Sequence, residues 1–155
     1  MKKEINVWDY AGHIMEHIGE GILLTTQAEG QVDTMTIGWG TIGVQWGKPI
    51  FIAFVRESRY TKQLLEGSGE FTVNIPLEKA DKNILTVCGT KSGRDMDKIA
   101  ALGLTLECKV IYKQDQDPAA IFPEYDARYY AKGTRNEGDY HTAYYGEITA
   151  AYIVE

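Results

Sequence analysis

The chain has 155 residues, 44% of them hydrophobic and 25% charged, which suits one domain, residues 1–155, large enough for its own core. Its net charge of −6, without a basic cluster, argues against nucleic acid as the main partner, and no apolar run nears the ~20 residues of a membrane helix. The N-terminus, MKKEINVWDYAG, carries two lysines with no apolar stretch behind them, and Cys88 and Cys108 show no C-x-x-C spacing. Free thiols in a reducing compartment follow, with the cytoplasm as the expected location.

In chain order, Trp8, Ala11, Met15 and Ile18 recur at helical spacing and predict a short amphipathic helix ending near Gly19 and Gly21. Residues 21–26 read as a strand, Ala28, Glu29 and Gly30 as a hairpin turn, and residues 32–41 as a second strand. The apolar run IFIAFV, residues 50–55, predicts a strand covered on both faces. After Arg59 the pattern turns helical, with Leu64 and Leu65 apolar and Lys62 four residues before Glu66, until Gly67 and Gly69 stop it. Residues 71–75 form a strand closed by Pro76. Residues 79–87 read as a helix, 89–93 as a loop, and 96–102 as a helix capped by Asp95 and ended by Gly103. Residues 104–112 alternate as a strand, 114–123 form a polar connection, and 143–154 a closing strand. Antiparallel strands with short helices and no βαβ rhythm indicate a mainly β barrel with attached helices.

Two stretches carry the chemistry. In VDTMTIGWGTIGVQWGKP, residues 32–49, glycines 38, 40, 43 and 47 interrupt a β-type run, as expected of a strand that is bent or closely approached. In ESRYT, residues 57–61, one guanidinium and three hydroxyls precede a helix, a set of donors suited to a phosphate. A flat backbone surface beside an anion cradle points to a phosphorylated aromatic ligand.

The order of MT-x-x-W-G, WGKP, R-x-S-R-Y-T, SGEFTVNIP, CGTKSGRDMDK, LECKVIY and DYHTAYYGEI resembles the flavin reductase-like family, which includes flavoredoxin, over nearly the whole chain. The resemblance implies an FMN-binding split β-barrel, a homodimer, and transfer of electrons from NADH or NADPH through FMN. The alternative is a non-enzymatic FMN carrier or sensor acting through a redox protein partner, and a third reading is a barrel that has lost its flavin. No GxGxxG fingerprint is present, so a nicotinamide donor would bind transiently.

The resemblance also assigns residues. Met35, Thr36, Ile37, Gly38, Trp39 and Gly40 would meet the pyrimidine edge of the ring through backbone groups and the Thr36 hydroxyl. Trp39 serves the ring or the core. Asp33 stands where many relatives carry Asn, and a carboxylate cannot donate to the ring. Arg59, Tyr60 and Thr61, with Ser58 as a further donor or a helix cap, would hold the phosphate. Lys91, Ser92 and Arg94 would bring cations to the phosphate or the reduced ring, although Arg94 can also pair with Asp97. His141, alone in DYHT, would donate to the ring's carbonyl edge. No metal is expected: His13 and His17 lie one helical turn apart without a third ligand. Eight of the ten tyrosines lie from Tyr112 onward, and Tyr129, Tyr130, Tyr140 and Tyr144 are the expected interface residues.

Overall fold

Strand alternation in the sequence becomes one antiparallel sheet that curls without closing. The computed structural model describes residues 2–78, Lys82, Thr86 and residues 103–154. Its strands are β1 (Lys2–Glu4), β2 (Ile22–Ala28), β3 (Gln31–Ile37), β4 (Gly40–Gln45), β5 (Lys48–Arg56), β6 (Glu70–Ile75), β7 (Gly103–Asp115) and β8 (His141–Val154). The helices are α1 (Ala11–Ile18), α2 (Tyr60–Ser68) and α3 (Pro123–Tyr129), with 3-10 turns at Val7–Tyr10 and Pro118–Ala120. Strand order is β3-β2-β6-β7-β8-β5-β4, with β1 added to β8. β3 and β4 are therefore the two free edges, and they are also consecutive in the chain.

That arrangement corrects the single strand expected over residues 32–41. The run divides at Gly38 and Trp39, and its halves pair with different neighbours, β3 with β2 and β4 with β5. Gly40 is needed where the second half begins, because a Cβ there would lie 2.9 Å from the Phe51 ring and 3.1 Å from Ile52 O. The β2–β3 turn has Glu29 and Gly30 both at positive φ (51° and 77°), and the β4–β5 turn has Trp46 and Gly47 likewise (51° and 71°). These are the two-residue turns whose twist matches paired strands.

The core fills the barrel with Ile22, Leu24, Phe51, Val55, Val73, Ile75, Leu104 and Leu106. Along α1 the buried side chains are Ile14 and Ile18, whereas Met15 and the preceding Trp8 are exposed, so the apolar face lies about a sixth of a turn from the one expected. α2 ends at Gly69 in the left-handed region (φ 67°), with Gly67 inside the helix, and packs Leu64 and Leu65 onto β2 and β3. β7 and β8 extend beyond their expected bounds, and α3 begins where the expected polar connection ends, in a stretch for which the sequence predicts no element. Gly103 has positive φ but opens β7. Of the helix expected over residues 79–87 only Lys82 and Thr86 are described, and both are helical. The loop at 89–93 and the helix at 96–102 lie outside the described residues.

A polar tie fixes α2 to the far strands. The buried Tyr144 hydroxyl on β8 donates to Glu66 Oε1 at 2.5 Å, and Lys113 and Lys62 pair with the same carboxylate. Burial raises the Glu66 pKa, but the bonds from Lys113, Tyr144 and Lys62 outweigh it and bring it down to about 2. Cys108 is free and buried, and burial pushes its thiol well above the ordinary range.

Candidate functional site

A cleft of about 270 Å³ lies beside the crossing from β3 to β4. It is lined by Met35, Thr36, Ile37, Gly38 and Trp39 from the end of β3 and its crossing to β4, Phe54 and Arg56 from β5, Arg59, and His141 from β8. The antiparallel register places Arg56 directly opposite His141, which puts both side chains on one face. Trp39 stands between them: its ring centroid is 4.9 Å from that of His141 and 4.9 Å from that of Tyr129. The Arg56 guanidinium lies 5.7 Å from the Trp39 ring and 5.8 Å from the Tyr130 ring, and its Nη1 donates to Asp139 O at 3.0 Å.

Two cations thus converge on one rim. Burial, and then the neighbouring Arg56, hold the Arg59 guanidinium below its ordinary pKa, with Asp139 opposing them. A ligand anion would relieve the repulsion between the pair. On the rim beside them, burial and then Arg56 push the His141 imidazole down to about 4, so it is uncharged at neutral pH. Its Nδ1 lies 2.7 Å from the Tyr130 hydroxyl. The cleft therefore offers strand backbone for a flat ring, aromatic walls, a paired positive rim and a neutral imidazole.

Seven of the sequence-derived site residues meet here: Met35, Thr36, Ile37, Gly38, Trp39, Arg59 and His141. Gly40 supports the strand behind the cleft instead. The hydroxyls expected on the phosphate bond other side chains of the protein. Ser58 Oγ donates to Asp139 Oδ2 at 2.6 Å, the Tyr60 hydroxyl to Gln31, and Thr61 Oγ1 to Asp33 Oδ2 at 2.5 Å. Ser58 is not the cap of α2 either; the N-cap is Arg59. Asp33 is buried beneath α2, where a carboxylate suits the Thr61 hydroxyl. Lys91, Ser92 and Arg94 lie outside the described residues.

Arg56 and Phe54 are the lining residues that sequence reasoning missed. Arg56 stands at the head of the R-x-S-R-Y-T motif, but only the β5–β8 register shows it facing His141. Tyr130 and Tyr144 are already buried within their own chain, which removes them from the expected interface; Tyr129 and Tyr140 are partly exposed. His13 Nε2 lies 2.7 Å from Pro76 O and His17 Nδ1 2.8 Å from His13 O. Among the described residues no group of three His, Cys, Asp or Glu could hold a metal. A larger cavity of about 370 Å³ lies between β2, β6 and β7, around Thr25, Phe71, Glu107 and Lys109. It holds none of the sequence-derived residues and no pair of cations.

An open antiparallel barrel with a ring cleft at its split is the architecture of the FMN-binding split β-barrels. The chain belongs to the family described as Flavin reductase like domain, which it matches over residues 15–155, and is a flavin-binding oxidoreductase in class. It is similar to flavoredoxin from Methanosarcina acetivorans at 26% identity and TM-score 0.61, over 87% of this chain and 68% of that one. An FMN-binding protein from Thermus thermophilus with bound p-hydroxybenzaldehyde shares the fold at 18% identity and TM-score 0.64, over 87% and 71% of the two chains. So does an NADH:FAD oxidoreductase from Streptomyces globisporus C-1027, in complex with NAD and FAD fragments, at 19% identity and TM-score 0.57, over 84% and 73%. No curated protein matches the sequence. Among the described residues no helix is long and apolar enough to cross a membrane.

Proposed function

We propose that the chain binds FMN in the cleft at the split and works as an NAD(P)H-dependent flavin reductase. The observation that carries this reading is the convergence of the β3–β4 crossing, two guanidiniums and a neutral imidazole in one cleft. Arg59, supported by Arg56 and by the N-terminal N–H groups of α2, would hold the phosphate. Backbone groups of residues 35–39 and the Thr36 hydroxyl would hold the pyrimidine edge, with His141 donating to a ring carbonyl. Lys91, Ser92 and Arg94 would add positive charge beside the phosphate or the ring. A bound flavin supplies the two-electron chemistry. The chain's part is to orient the ring, exclude water from its buried face and keep the imidazole uncharged.

The partners in this reading are a transient NADH or NADPH and a second copy of the chain. The half-exposed Tyr129 and Tyr140 beside the cleft suit an interface there, in the cytoplasm. A second reading, an electron carrier working through a protein partner, is favoured by the likeness to flavoredoxin. The test is direct. The purified protein should be yellow and release FMN, not FAD, on denaturation, and anaerobic NADH or NADPH should bleach it at turnover rates. Yellow protein that neither nucleotide bleaches would support the carrier; colourless protein that takes up no added FMN overturns both readings. Light scattering over a dilution series, with flavin fluorescence in parallel, tests the dimer.

A further inference from the structure

His141 is held from two sides by side chains that the flavin-site reading does not use. Gln116, the residue after β7, is locked to the His141 backbone: its N–H donates to His141 O at 3.0 Å, and its Oε1 accepts from His141 N at 2.8 Å. With the amide oxygen so fixed, the NH2 end of Gln116 is left to meet the Tyr130 hydroxyl, a contact that favours the phenol's ionised form. Tyr130, the C-cap of α3, brings that hydroxyl to 2.7 Å from His141 Nδ1.

The geometry points to Tyr130 and Gln116 as positioning residues that fix the tautomer of His141, making its Nε2–H a standing hydrogen-bond donor to an acceptor atom of the ligand in the cleft. The relay runs one way. Toward Tyr130 the NH2 group of Gln116 can act only as a donor, so Tyr130 donates its proton to Nδ1, and the single proton of a neutral imidazole is left on Nε2. In the reverse arrangement Nδ1–H would donate to Tyr130. The phenol proton would then need a further acceptor, and none is found among the described residues for a side chain only 5% exposed. Both ends hold their protonation. Burial raises the Tyr130 pKa, and burial with Arg56 and Arg59, against Asp139, lowers that of His141. Nε2 has no protein partner among the described residues, and the side chain lines the cleft. Only the ligand half of the inference rests on the flavin reading; the tautomer is a property of the protein alone.

Nitrogen-15 NMR of histidine-labelled protein at pH 7 tests the relay, with His141→Gln assigning the signal among the three histidines. The wild type should show a neutral ring protonated on Nε2. Tyr130→Phe should average the two tautomers. Gln116→Glu, whose carboxylate would take the phenol proton as its acceptor, should invert the ring to Nδ1–H. A wild-type ring protonated on Nδ1 overturns the relay, as do two folded variants that keep the wild-type pattern; either variant decides if the other fails to fold. Riboflavin, which lacks the phosphate, then probes the ring contact. Gln116→Glu should weaken its binding about tenfold, the scale of one hydrogen bond turned to repulsion. Unchanged affinity in a variant with an inverted tautomer overturns the donor role. A wild type that binds neither riboflavin nor FMN overturns the flavin reading, while the NMR result still decides the relay.

Discussion

The two rims of the cleft use polar side chains in opposite ways. On the Arg59 rim the hydroxyls of Ser58, Tyr60 and Thr61 bond the side chains of Asp139, Gln31 and Asp33, the last of these in the interior, and fasten α2 to its surroundings. On the His141 rim Tyr130 and Gln116 hold the imidazole and its backbone, and the ring they hold lines the cleft. A motif rich in donors is thus mostly scaffold, whereas a lone, buried histidine is one end of a hydrogen-bonded set that lines the cleft. Side-chain type alone does not separate the two cases; what each donor already bonds does.

The largest effect should come from the His141 rim and should appear as pH dependence. The folded pKa, down to about 4, lies below the unfolded value of about 6.5, so between these values the unfolded chain binds more protons. Stability is then fully present above pH 6.5 and falls as the pH drops through 4, by up to about 3 kcal/mol. Urea unfolding from pH 7 to 4 should show the loss, and His141→Gln should flatten it; an unchanged slope would mean that the imidazole is not held neutral.

On the other rim Arg59→Ala should weaken FMN by about 1.5–3 kcal/mol, the range for a charge-assisted bond, and riboflavin much less. Calorimetric titration with both ligands reads this, and equal losses would place Arg59 away from the phosphate. Thr61→Val sharpens the contrast. Removing the donor to buried Asp33 should cost about 1–2 kcal/mol of folding stability, with FMN and riboflavin affinity lost in the same proportion. A loss confined to FMN would instead make Thr61 a phosphate ligand. The smallest effect belongs to Glu66→Gln, below about 1 kcal/mol, because that carboxylate is about a third exposed and screened. The effect should fade between pH 4.5 and 2, as the carboxylate, ionised in the fold down to about 2, becomes protonated.

How far the sequence was legible follows from where its signals are local. Apolar alternation marks β6 and the first part of β7 because one face of each meets the core. From Val32 to Thr41 the β-type run continues past Gly38, and the change of pairing partner there is not marked by any turn residue pattern distinct from the other glycines. α3 was invisible because PEYDARY buries nothing and has no apolar face to repeat. At the site, the strand backbone and Arg59 were legible from their motif. Arg56 was not, because facing His141 is a matter of register between strands 85 positions apart.

The seam at Gly38 and Trp39 has a thermodynamic consequence. Elsewhere neighbouring strands are joined by rungs of hydrogen bonds, but here the ring of strands is completed by a covalent link between its two free edges. Widening the gap between β3 and β4 would therefore break no strand-pairing hydrogen bond between them. A ligand that touches both lips acts as the missing rung, and its contribution grows with its concentration: about 2.7 kcal/mol when the free ligand is at a hundred times its Kd. Melting temperature in this protein should track ligand supply more steeply than it tracks most single substitutions on the barrel's outer face.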